Sequence, residues 1–434
     1  MKSNIFWFRR DLRLKDNAAL IEALNSSNSV IPVFIFDSNI LKSLPKDDAR
    51  ITFIYSQLRK INNQLKENKS SILVKHGDPK EIFQEILLEL DIKDVYSNKD
   101  YEPYAINRDQ DITSLLANHG ISHFQFKDQV IFEPHEVLKE NRDPYTVYTP
   151  YKNKWLSIYK RMSIEIFDKV NYDNFLKKSF PFPDLIEIGF SNSHIKVKDY
   201  SLKNLDNYSS NRDFPAEDKT SYLSVHLRFG TVSVREIISS LKVNDEVFLS
   251  ELIWREFFMQ ILFNFPYVCD RSFKPKYDRI KWRNNKSEFK LWCEGKTGYP
   301  LVDAGMRQLN KTGYMHNRVR MIVAGFLCKH LLIDWKWGER YFALKLLDYE
   351  KSSNNGNWQW AAGTGCDSAP YFRIFNPFTQ QKKFDKDFKY IRKWIEGFNE
   401  DTYLPYIVDH KKARERALFC YKSSLVYPHL LPSQ

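Results

Sequence analysis

The sequence predicts two domains: an α/β amino-terminal domain with a parallel, Rossmann-like sheet, and an all-helical carboxyl-terminal domain. Three observations support this fold class. The chain has 434 residues, which is more than one ordinary core accommodates. The first 130 residues alternate short β-branched or aromatic runs with polar helical stretches. Beyond residue 207, the long segments repeat apolar side chains every 3.6 residues.

The strands predicted within residues 1–130 are the runs NIFWF, SVIPVFIFD, SSILVKHGD, KDVYSNKD and ISHFQF. Polar helical stretches such as TFIYSQLRKINNQLKEN separate them. Strands that are joined by helices run parallel, and the helices then cover both faces of the sheet. No G-x-G-x-x-G motif follows the first strand, so the sheet lacks the fingerprint of a dinucleotide site.

Residues 131–206 are predicted to connect the two domains. The stretch from 165 to 205 has prolines, polar clusters and no sustained period. Residues 207–434 form the predicted helical domain. Its clearest helical segments are VFLSELIWREFFMQILFNF, LVDAGMRQLNKTG and RVRMIVAGFLCKHLLIDW.

Composition limits the partner and the compartment. A formal charge of +12 favours a polyanion such as nucleic acid, because lysines and arginines release counterions from phosphates. A merely solvated basic surface is the alternative.

Five scattered cysteines without a C-x-x-C pair indicate reduced thiols and no zinc site. No apolar run approaches the ~20 residues of a membrane span. The start of the chain carries arginines where a signal peptide is apolar, so we expect a cytoplasmic protein.

Tryptophan is concentrated in the predicted helical domain, where eight of the ten indoles fall between residues 254 and 394. Filling a large helical core is the simplest explanation for any one of them. However, Trp358 and Trp360 stand one residue apart in NNGNWQWAAGTG. Helical positions i and i+2 lie roughly 200° apart around the axis. One helix is therefore expected to present two indoles to two different environments.

The segment ELIWREFF places Glu251, Trp254 and Arg255 on one helix face, at i, i+3 and i+4. A carboxylate, a flat aromatic ring and a guanidinium can together hydrogen-bond a base, stack on it and neutralise a phosphate. The alternative is an amphipathic core helix whose glutamate pairs with a basic side chain at its rim.

Two further segments suit a nucleotide ligand. GYMHNRVRMIVAG puts Asn317 and Met321 on one face, flanked by Arg318 and Arg320, which offers an amide and a soft apolar wall. AEDKTSYLSVHLRFG predicts a helix start around residues 220 to 224, where free N–H groups and hydroxyls suit an anion. Core packing of the methionine and ordinary N-capping by the threonine are the alternatives.

Taken together, these segments resemble the photolyase/cryptochrome family, and they are most similar to the bacterial class I cyclobutane pyrimidine dimer photolyases. The resemblance covers almost the whole chain in the family's order and thins only around 160 to 205. The matching motifs are WFRRDLRLKDN, YTVYTPYKNKW, TSYLSVHLRFG, LIWREFF, GKTGYPLVDAGMRQLNKTGYMHNRVRM and NNGNWQWAAGTGCDSAPYFRIFNP.

The resemblance implies a helical domain that holds flavin adenine dinucleotide (FAD), and an enzyme that acts on ultraviolet-damaged single- or double-stranded DNA. In that family, reduced FAD absorbs blue light and passes an electron to a flipped-out pyrimidine dimer, whose two joining bonds then break. The resemblance also implies a monomer. The region DYEPYAINRDQD lacks the Asn-Glu pair of folate-binding relatives. A deazaflavin, a second flavin or no antenna pigment at all remain open.

The resemblance also implies site residues, position by position. The FAD contacts are matched by Tyr208, Thr220, Ser221, Tyr222, Leu223, Ser224, Arg255, Asp348, Tyr349, Glu350 and Asn354. The dimer pocket is matched by Glu251, Trp254, Asn317, Arg318, Met321, Trp360 and Gln380. A tryptophan wire that reduces the flavin is matched by Trp358, Trp335 and Trp282. Asn354 corresponds to the asparagine beside the reactive flavin nitrogen, and Glu251 to the residue that hydrogen-bonds the pyrimidine. DYE at 348 to 350 departs from the Asp-Gly-Asp that relatives often have.

Three other functions are alternatives to this one. A cryptochrome photoreceptor shares the fold, the flavin and the wire, but a long signalling tail is expected there, and this chain ends about forty residues after Trp394. A photolyase for the (6-4) photoproduct is expected to place a histidine pair where YMHNRVRM offers Asn317 and Met321. A flavin electron carrier without a nucleic acid partner leaves the basic charge and the pocket unexplained.

Overall fold

The computed structural model describes residues 2–426, and the chain forms two compact units. Unit 1 contains the residues up to 137 together with 154–201 and 222–243. Unit 2 contains 138–153, 202–221 and the residues from 244 onward. The domain boundaries drawn from the sequence, after residues 130 and 206, stay predictions.

Unit 1 is built on a five-stranded sheet. Its strands are β1 (Ser3–Phe8), β2 (Val30–Asp37), β3 (Leu73–Gly77), β4 (Ile92–Asn98) and β5 (Ser122–Phe126). Their order across the sheet is β3-β2-β1-β4-β5, and every neighbouring pair is parallel. The parallel sheet predicted from the sequence is therefore confirmed. Every residue of β1 is buried, as expected for a central strand whose two faces are covered.

The α-helices up to residue 243 are α1 (Ala18–Leu24), α2 (Ser38–Leu41), α3 (Ala49–Lys66), α4 (Pro79–Glu89), α5 (Pro103–Asn118), α6 (Tyr148–Tyr159), α7 (Tyr208–Asn211), α8 (Leu223–Phe229) and α9 (Val234–Ser239). Short polar side chains begin several of them. Asn17 caps α1 and Asp78 caps α4 by accepting backbone N–H hydrogen bonds, which satisfies donors that have no partner inside the helix. The stretch 165–205 is largely irregular, as predicted, but Phe175 in it is buried and forms a parallel bridge with Val30 of β2.

From residue 244 the regular structure is helical. The α-helices are α10 (Glu246–Asn264), α11 (Lys286–Glu294), α12 (Pro300–Thr312), α13 (Asn317–Gly325), α14 (Trp335–Lys345), α15 (Lys351–Ala362), α16 (Pro377–Phe384), α17 (Lys389–Trp394) and α18 (His410–Val426). The predicted helical domain is confirmed. None of the helices within residues 2–426 combines the length and apolar character needed to cross a bilayer.

One predicted helix is divided in the structure. The segment 318–335 follows α13 only to Gly325 and then forms a π-helical turn at Phe326–His330. Leu332 next takes a left-handed conformation with φ of 52°, which ends the helical path. Asp334 then caps the start of α14 at the backbone N–H of Lys336. Apolar spacing predicted the helical character of this segment but not its break.

A large apolar cluster fills unit 2. Trp292, Trp335 and Trp358 are buried within it, and Trp282 and Trp394 pack against it. Because buried aromatic rings contribute large apolar areas, this cluster is a major source of the unit's stability. The three tryptophans predicted to form the wire all belong to this core or contact it: Trp335 and Trp358 lie within it, and Trp282 packs against it.

Candidate active site

Helix α15 places its two tryptophans in different surroundings, as their spacing predicted. Trp358 is 2% exposed, and its ring meets Phe342 edge-on at 4.9 Å and Trp292 at 6.2 Å between ring centres. Trp360 is only half-buried. One helix therefore places the indole of Trp358 in the apolar core and leaves the indole of Trp360 partly exposed at the surface of unit 2.

Two glycines allow the neighbouring helices to approach α15 closely. A Cβ atom built on Gly338 of α14 would lie 2.1 Å from Cη2 of Trp358. A Cβ atom on Gly356 of α15 would lie 2.1 Å from Cδ1 of Phe258 on α10. Both distances are far shorter than any real carbon contact, so α15 is held between α10 and α14 at a separation that only glycine permits.

The predicted wire residues belong to the same apolar core. Trp335 is the first residue of α14 and is 2% exposed. Trp282 is half-buried and meets the ring of Tyr421 edge-on at 6.0 Å. Trp335 and Trp358 are thus members of the core, and Trp282 packs against it.

Trp254 on α10 lies in an aromatic stack. Its ring stacks on Tyr148 at 3.6 Å with an angle of 7° between the planes, and on Phe258 at 5.4 Å. The hydroxyl of Tyr148 donates a hydrogen bond to the carbonyl of Ser250 at 2.7 Å. Burial raises the pKa of Tyr148, so this hydroxyl keeps its proton at neutral pH. The hydrogen bond and the stacking fix Trp254 as a rigid, half-exposed platform.

Glu251 and Arg318 are held by two consecutive residues. Arg212 donates from Nη1 to Oε1 of Glu251 at 2.6 Å, and Asp213 accepts from Nη2 of Arg318 at 2.6 Å. Burial lowers the pKa of Arg212, but the charge of Glu251, its hydrogen bond and the neighbouring Tyr208 and Asp213 together raise this pKa above its usual value. Arg318 also lies 3.8 Å from the sulfur of Met321. Glu251, Arg318 and Met321 are thus brought together around residues 212 and 213, which sequence reasoning missed.

The other residues predicted for the dimer pocket belong to unit 2 and have fewer contacts that fix them. Asn317 is exposed at the first position of α13. The imidazole of His316 accepts from the backbone N–H of Arg318 at 3.2 Å, and burial lowers its pKa to about 4, so this ring stays neutral and caps the helix. Gln380 is half-buried on α16.

Asn354 is oriented by Glu339. Its Nδ2 donates to the backbone oxygen of Glu339 at 3.1 Å and to Oε1 of the same residue at 2.9 Å. Both partners are acceptors, so the amide group must turn its NH2 toward them. The side-chain oxygen of Asn354 makes no hydrogen bond with any residue between 2 and 426. It therefore presents an acceptor. No signal in the sequence identified Glu339.

The DYE segment takes two structural roles. Asp348 receives two hydrogen bonds from Nη2 of Arg320, at 2.9 and 3.2 Å. Glu350 is buried and caps α15, accepting from the backbone N–H groups of Ser352 and Ser353. The carboxylate of Glu350 thus serves helix α15, while Tyr349 packs against the apolar core.

Tyr208 and the segment 220–224 are divided between the units. Tyr208 in unit 2 meets Phe248 edge-on at 5.2 Å, and burial together with the charge of Glu251 raises its pKa to about 12. Thr220 and Ser221 also belong to unit 2, whereas Tyr222, Leu223 and Ser224 belong to unit 1. Helix α8 begins at Leu223 after a left-handed Tyr222, which occupies the N-cap position without a side-chain cap hydrogen bond. N-capping by the threonine is therefore wrong. Arg255 is half-buried on α10.

Comparison with known proteins identifies the chain. The family described as DNA photolyase matches residues 4–170, and the FAD binding domain of DNA photolyase matches residues 248–400. The chain belongs to the DNA photolyase family. The deoxyribodipyrimidine photo-lyase of Escherichia coli is 36% identical, and the alignment covers 98% of this chain and 99% of that protein.

Two solved structures support the same conclusion. A bacterial class III photolyase from Agrobacterium tumefaciens superimposes with a TM-score of 0.86 and is 33% identical, with 98% of each chain covered. An archaeal photolyase from Sulfolobus tokodaii, described with two FAD molecules, superimposes with a TM-score of 0.82 at 34% identity. The latter match covers 97% of this chain and all of the archaeal one. The protein is a flavoprotein that uses FAD and light to split cyclobutane pyrimidine dimers in DNA, and the cryptochrome alternative is not favoured.

Proposed function

We propose that α15 separates the two electron-transfer tasks of this photolyase. Trp360 faces the substrate. Trp358 passes electrons to the flavin and receives them through Trp335 and Trp282. The observation that carries the proposal is the contrast on one helix: Trp358 is sealed in a core of aromatic rings, while Trp360, two residues away, is half-exposed.

The dimer pocket is proposed to consist of Glu251, Trp254, Asn317, Arg318, Met321, Trp360 and Gln380. Stacking on the fixed ring of Trp254 contributes roughly 1–3 kcal/mol per base, as aromatic platforms for single-stranded nucleic acid do. Extruding bases from a duplex costs a few kcal/mol, and less where damage has already weakened the pairing. The stacking energy can offset the cost of extrusion for a dimer, but it scarcely does so for two intact bases. Selectivity for damage therefore needs no recognition of the DNA sequence.

Glu251 is proposed to hydrogen-bond the pyrimidine ring. Its Oε1 is engaged by Arg212, and this leaves Oε2 for a substrate N–H. The adjacent guanidinium offsets negative charge that develops on the dimer when it receives an electron. In a site shielded from water, such preorganised charge is worth more than in solution.

The residues of unit 2 suit FAD. On absorbing light, bound reduced FAD supplies one electron to the dimer. The unpaired acceptor oxygen of Asn354 matches the N–H that only a reduced flavin ring presents at its central nitrogen, and Glu339 holds that oxygen in place. Tyr208, Thr220, Ser221, Arg255 and Asp348 are proposed as further contacts. Glu350 is proposed to act through its cap on α15 and Tyr349 through packing.

The partner and setting follow from composition and from the relatives. We propose that the enzyme accepts damaged single- or double-stranded DNA, that its net charge of +12 steers it to phosphates, and that it works as a cytoplasmic monomer. The second FAD in the archaeal relative supports an additional light-harvesting chromophore, whose identity stays open.

A crossed experiment tests the division of tasks. Trp358→Phe should slow photoreduction of oxidised flavin and leave repair by previously reduced enzyme near the wild-type level. Trp360→Ala should do the reverse, because it removes a substrate contact and no wire member. Photoreduction kinetics and repair of a thymine-dimer oligonucleotide are measured for both variants at matched flavin content. If both variants lose the same activity, the two indoles do not have separate tasks.

A further inference from the structure

Unit 2 contains a cleft that the proposed flavin and dimer residues do not line. We call it the Tyr406 cleft. It encloses about 320 Å³, which is within the range of small-molecule sites. The lining side chains that matter here are Tyr299, Phe378, Glu400, Asp401, Tyr403 and Tyr406.

Three of these aromatic rings contact one another. Tyr299 lies 5.2 Å from Phe378 and 5.3 Å from Tyr406, and Phe378 meets Tyr406 edge-on at 5.4 Å. Tyr299 is 1% exposed, whereas Tyr406 is 60% exposed. The cluster thus has a buried floor and an aromatic wall that solvent can reach, and ring faces of this kind attract cations.

The charge of the cleft is opposite to that of the whole chain. Among residues 2–426, Glu400 and Asp401 line it, and no lysine, arginine or histidine does. Within the described part of the chain, neither carboxylate is joined to a basic side chain by an ion pair. In a protein with 66 lysines and arginines against 54 acidic residues, a cleft with only negative side-chain charge is a local exception.

The walls are held in place before any ligand binds. Asp303 is fully buried and accepts hydrogen bonds from Thr297 Oγ1 at 2.6 Å and from the hydroxyl of Tyr403 at 2.9 Å. Gly298 has φ of 82°, and a Cβ there would lie 2.3 Å from the carbonyl oxygen of Pro405. The chain on either side of the cleft is therefore locked together by contacts that only this geometry allows.

The hydroxyl of Tyr299 adds a further tie, because it donates to the carbonyl of Val408 at 2.7 Å. The backbone N–H of Ile407 also donates to the carbonyl of Thr297 at 3.0 Å. A preformed site avoids the entropy cost of ordering its walls on binding.

We propose that the Tyr406 cleft binds an organic cation, either a guanidinium or an alkylammonium group. The rings supply cation–π contacts, and the two carboxylates neutralise the charge. An anion is repelled by the carboxylates, and a neutral apolar ligand leaves them without a partner. The same chemistry is found in a free polyamine and in an arginine side chain of a protein segment.

The test is calorimetric titration of the FAD-loaded protein with N-acetyl-arginine amide. N-acetyl-citrulline amide is the matched neutral control, since it has the same shape without the charge. We expect the arginine probe to bind about tenfold more tightly than the citrulline probe. Spermidine is titrated in parallel: tighter binding of spermidine indicates a free polyamine, and tighter binding of the arginine probe indicates a protein segment.

Variants assign the binding to the cleft. Tyr406→Ala should weaken the arginine probe several-fold, whereas Tyr406→Phe should retain its affinity because the ring face remains. The double variant Glu400→Gln with Asp401→Asn should lose the preference for arginine over citrulline. Both carboxylates are exposed, so these substitutions leave the fold intact. Equal affinity for the two probes, no measurable binding of either, or an unchanged preference in the double variant would overturn the proposal.

Discussion

Substituting Gly338 with alanine tests whether the position of Trp358 controls electron supply. The new Cβ would lie 2.1 Å from Cη2 of Trp358 and 2.6 Å from Cδ2 of Leu327. Ordinary contacts begin at 3.4 Å, so the indole or its helix must move by at least 1.3 Å. Because Trp358 is enclosed by Phe342 and Trp292, any movement also disturbs their packing.

Two opposing terms set the stability of Gly338→Ala. Overpacking a well-packed core costs about 1–3 kcal/mol. Replacing glycine by alanine inside a helix returns up to about 1 kcal/mol. We therefore expect a net loss of roughly 0–2 kcal/mol in the free energy of unfolding. We also expect slower photoreduction of the flavin, since the displaced indole is the proposed donor nearest to it.

Gly325→Ala is the matched control. Gly325 ends α13, and among the described residues a Cβ there would meet only Phe375, at an unstrained 3.9 Å. This variant should be as stable as the wild type or up to about 1 kcal/mol more stable, with unchanged photoreduction. Urea unfolding and transient absorption of the flavin measure both quantities. If Gly338→Ala behaves like Gly325→Ala in both assays, the close packing of Trp358 is not what sets electron supply.

Three further predictions follow from the structure. Glu251→Gln should lower repair yield several-fold with flavin content unchanged, whereas Glu246→Gln in the first turn of the same helix should not; equal yields would remove Glu251 from the mechanism. Arg318→Gln should weaken binding to damaged DNA and reduce the slope of log affinity against log salt by about one, and an unchanged slope means that Arg318 contacts no phosphate. Lys329 donates to two backbone carbonyls, and burial lowers its pKa to about 7. In the unfolded chain the lysine keeps its proton up to about pH 10.4. Between about pH 7 and pH 10.4 only the unfolded state is protonated, so the free energy of unfolding of the wild type increases as the pH rises. The Lys329→Met variant should lack that rise when its free energy of unfolding in urea is compared at pH 7 and pH 9, and a rise equal to that of the wild type would refute the reasoning.

The sequence predicted the features that depend on repeating patterns. Apolar alternation and helical spacing located the five strands and α10, because burial of one face imposes those periods. The separation of Trp358 from Trp360 also followed from helix geometry alone. The π-helical turn at Phe326–His330 leaves no such pattern, since its residues would be buried and helical in either form.

The contacts that fix the site could not be predicted in this way. Glu339 orients Asn354, and Tyr148 supports Trp254, yet these partners are 15 and 106 residues apart along the chain. The pairing of Arg212 with Glu251 likewise joins separate segments. Only the fold brings such residues together, and a single sequence contains no record of which distant side chains meet.

The most direct test of the central claim is repair of an oligothymidine that carries cyclobutane dimers by the reduced, FAD-loaded protein under blue light. Restored thymine absorbance is measured alongside a dark control and a strand with (6-4) damage. We predict recovery only in light and only on the cyclobutane substrate. No recovery from fully flavin-loaded, reduced protein, or recovery on the (6-4) strand alone, would contradict the assignment.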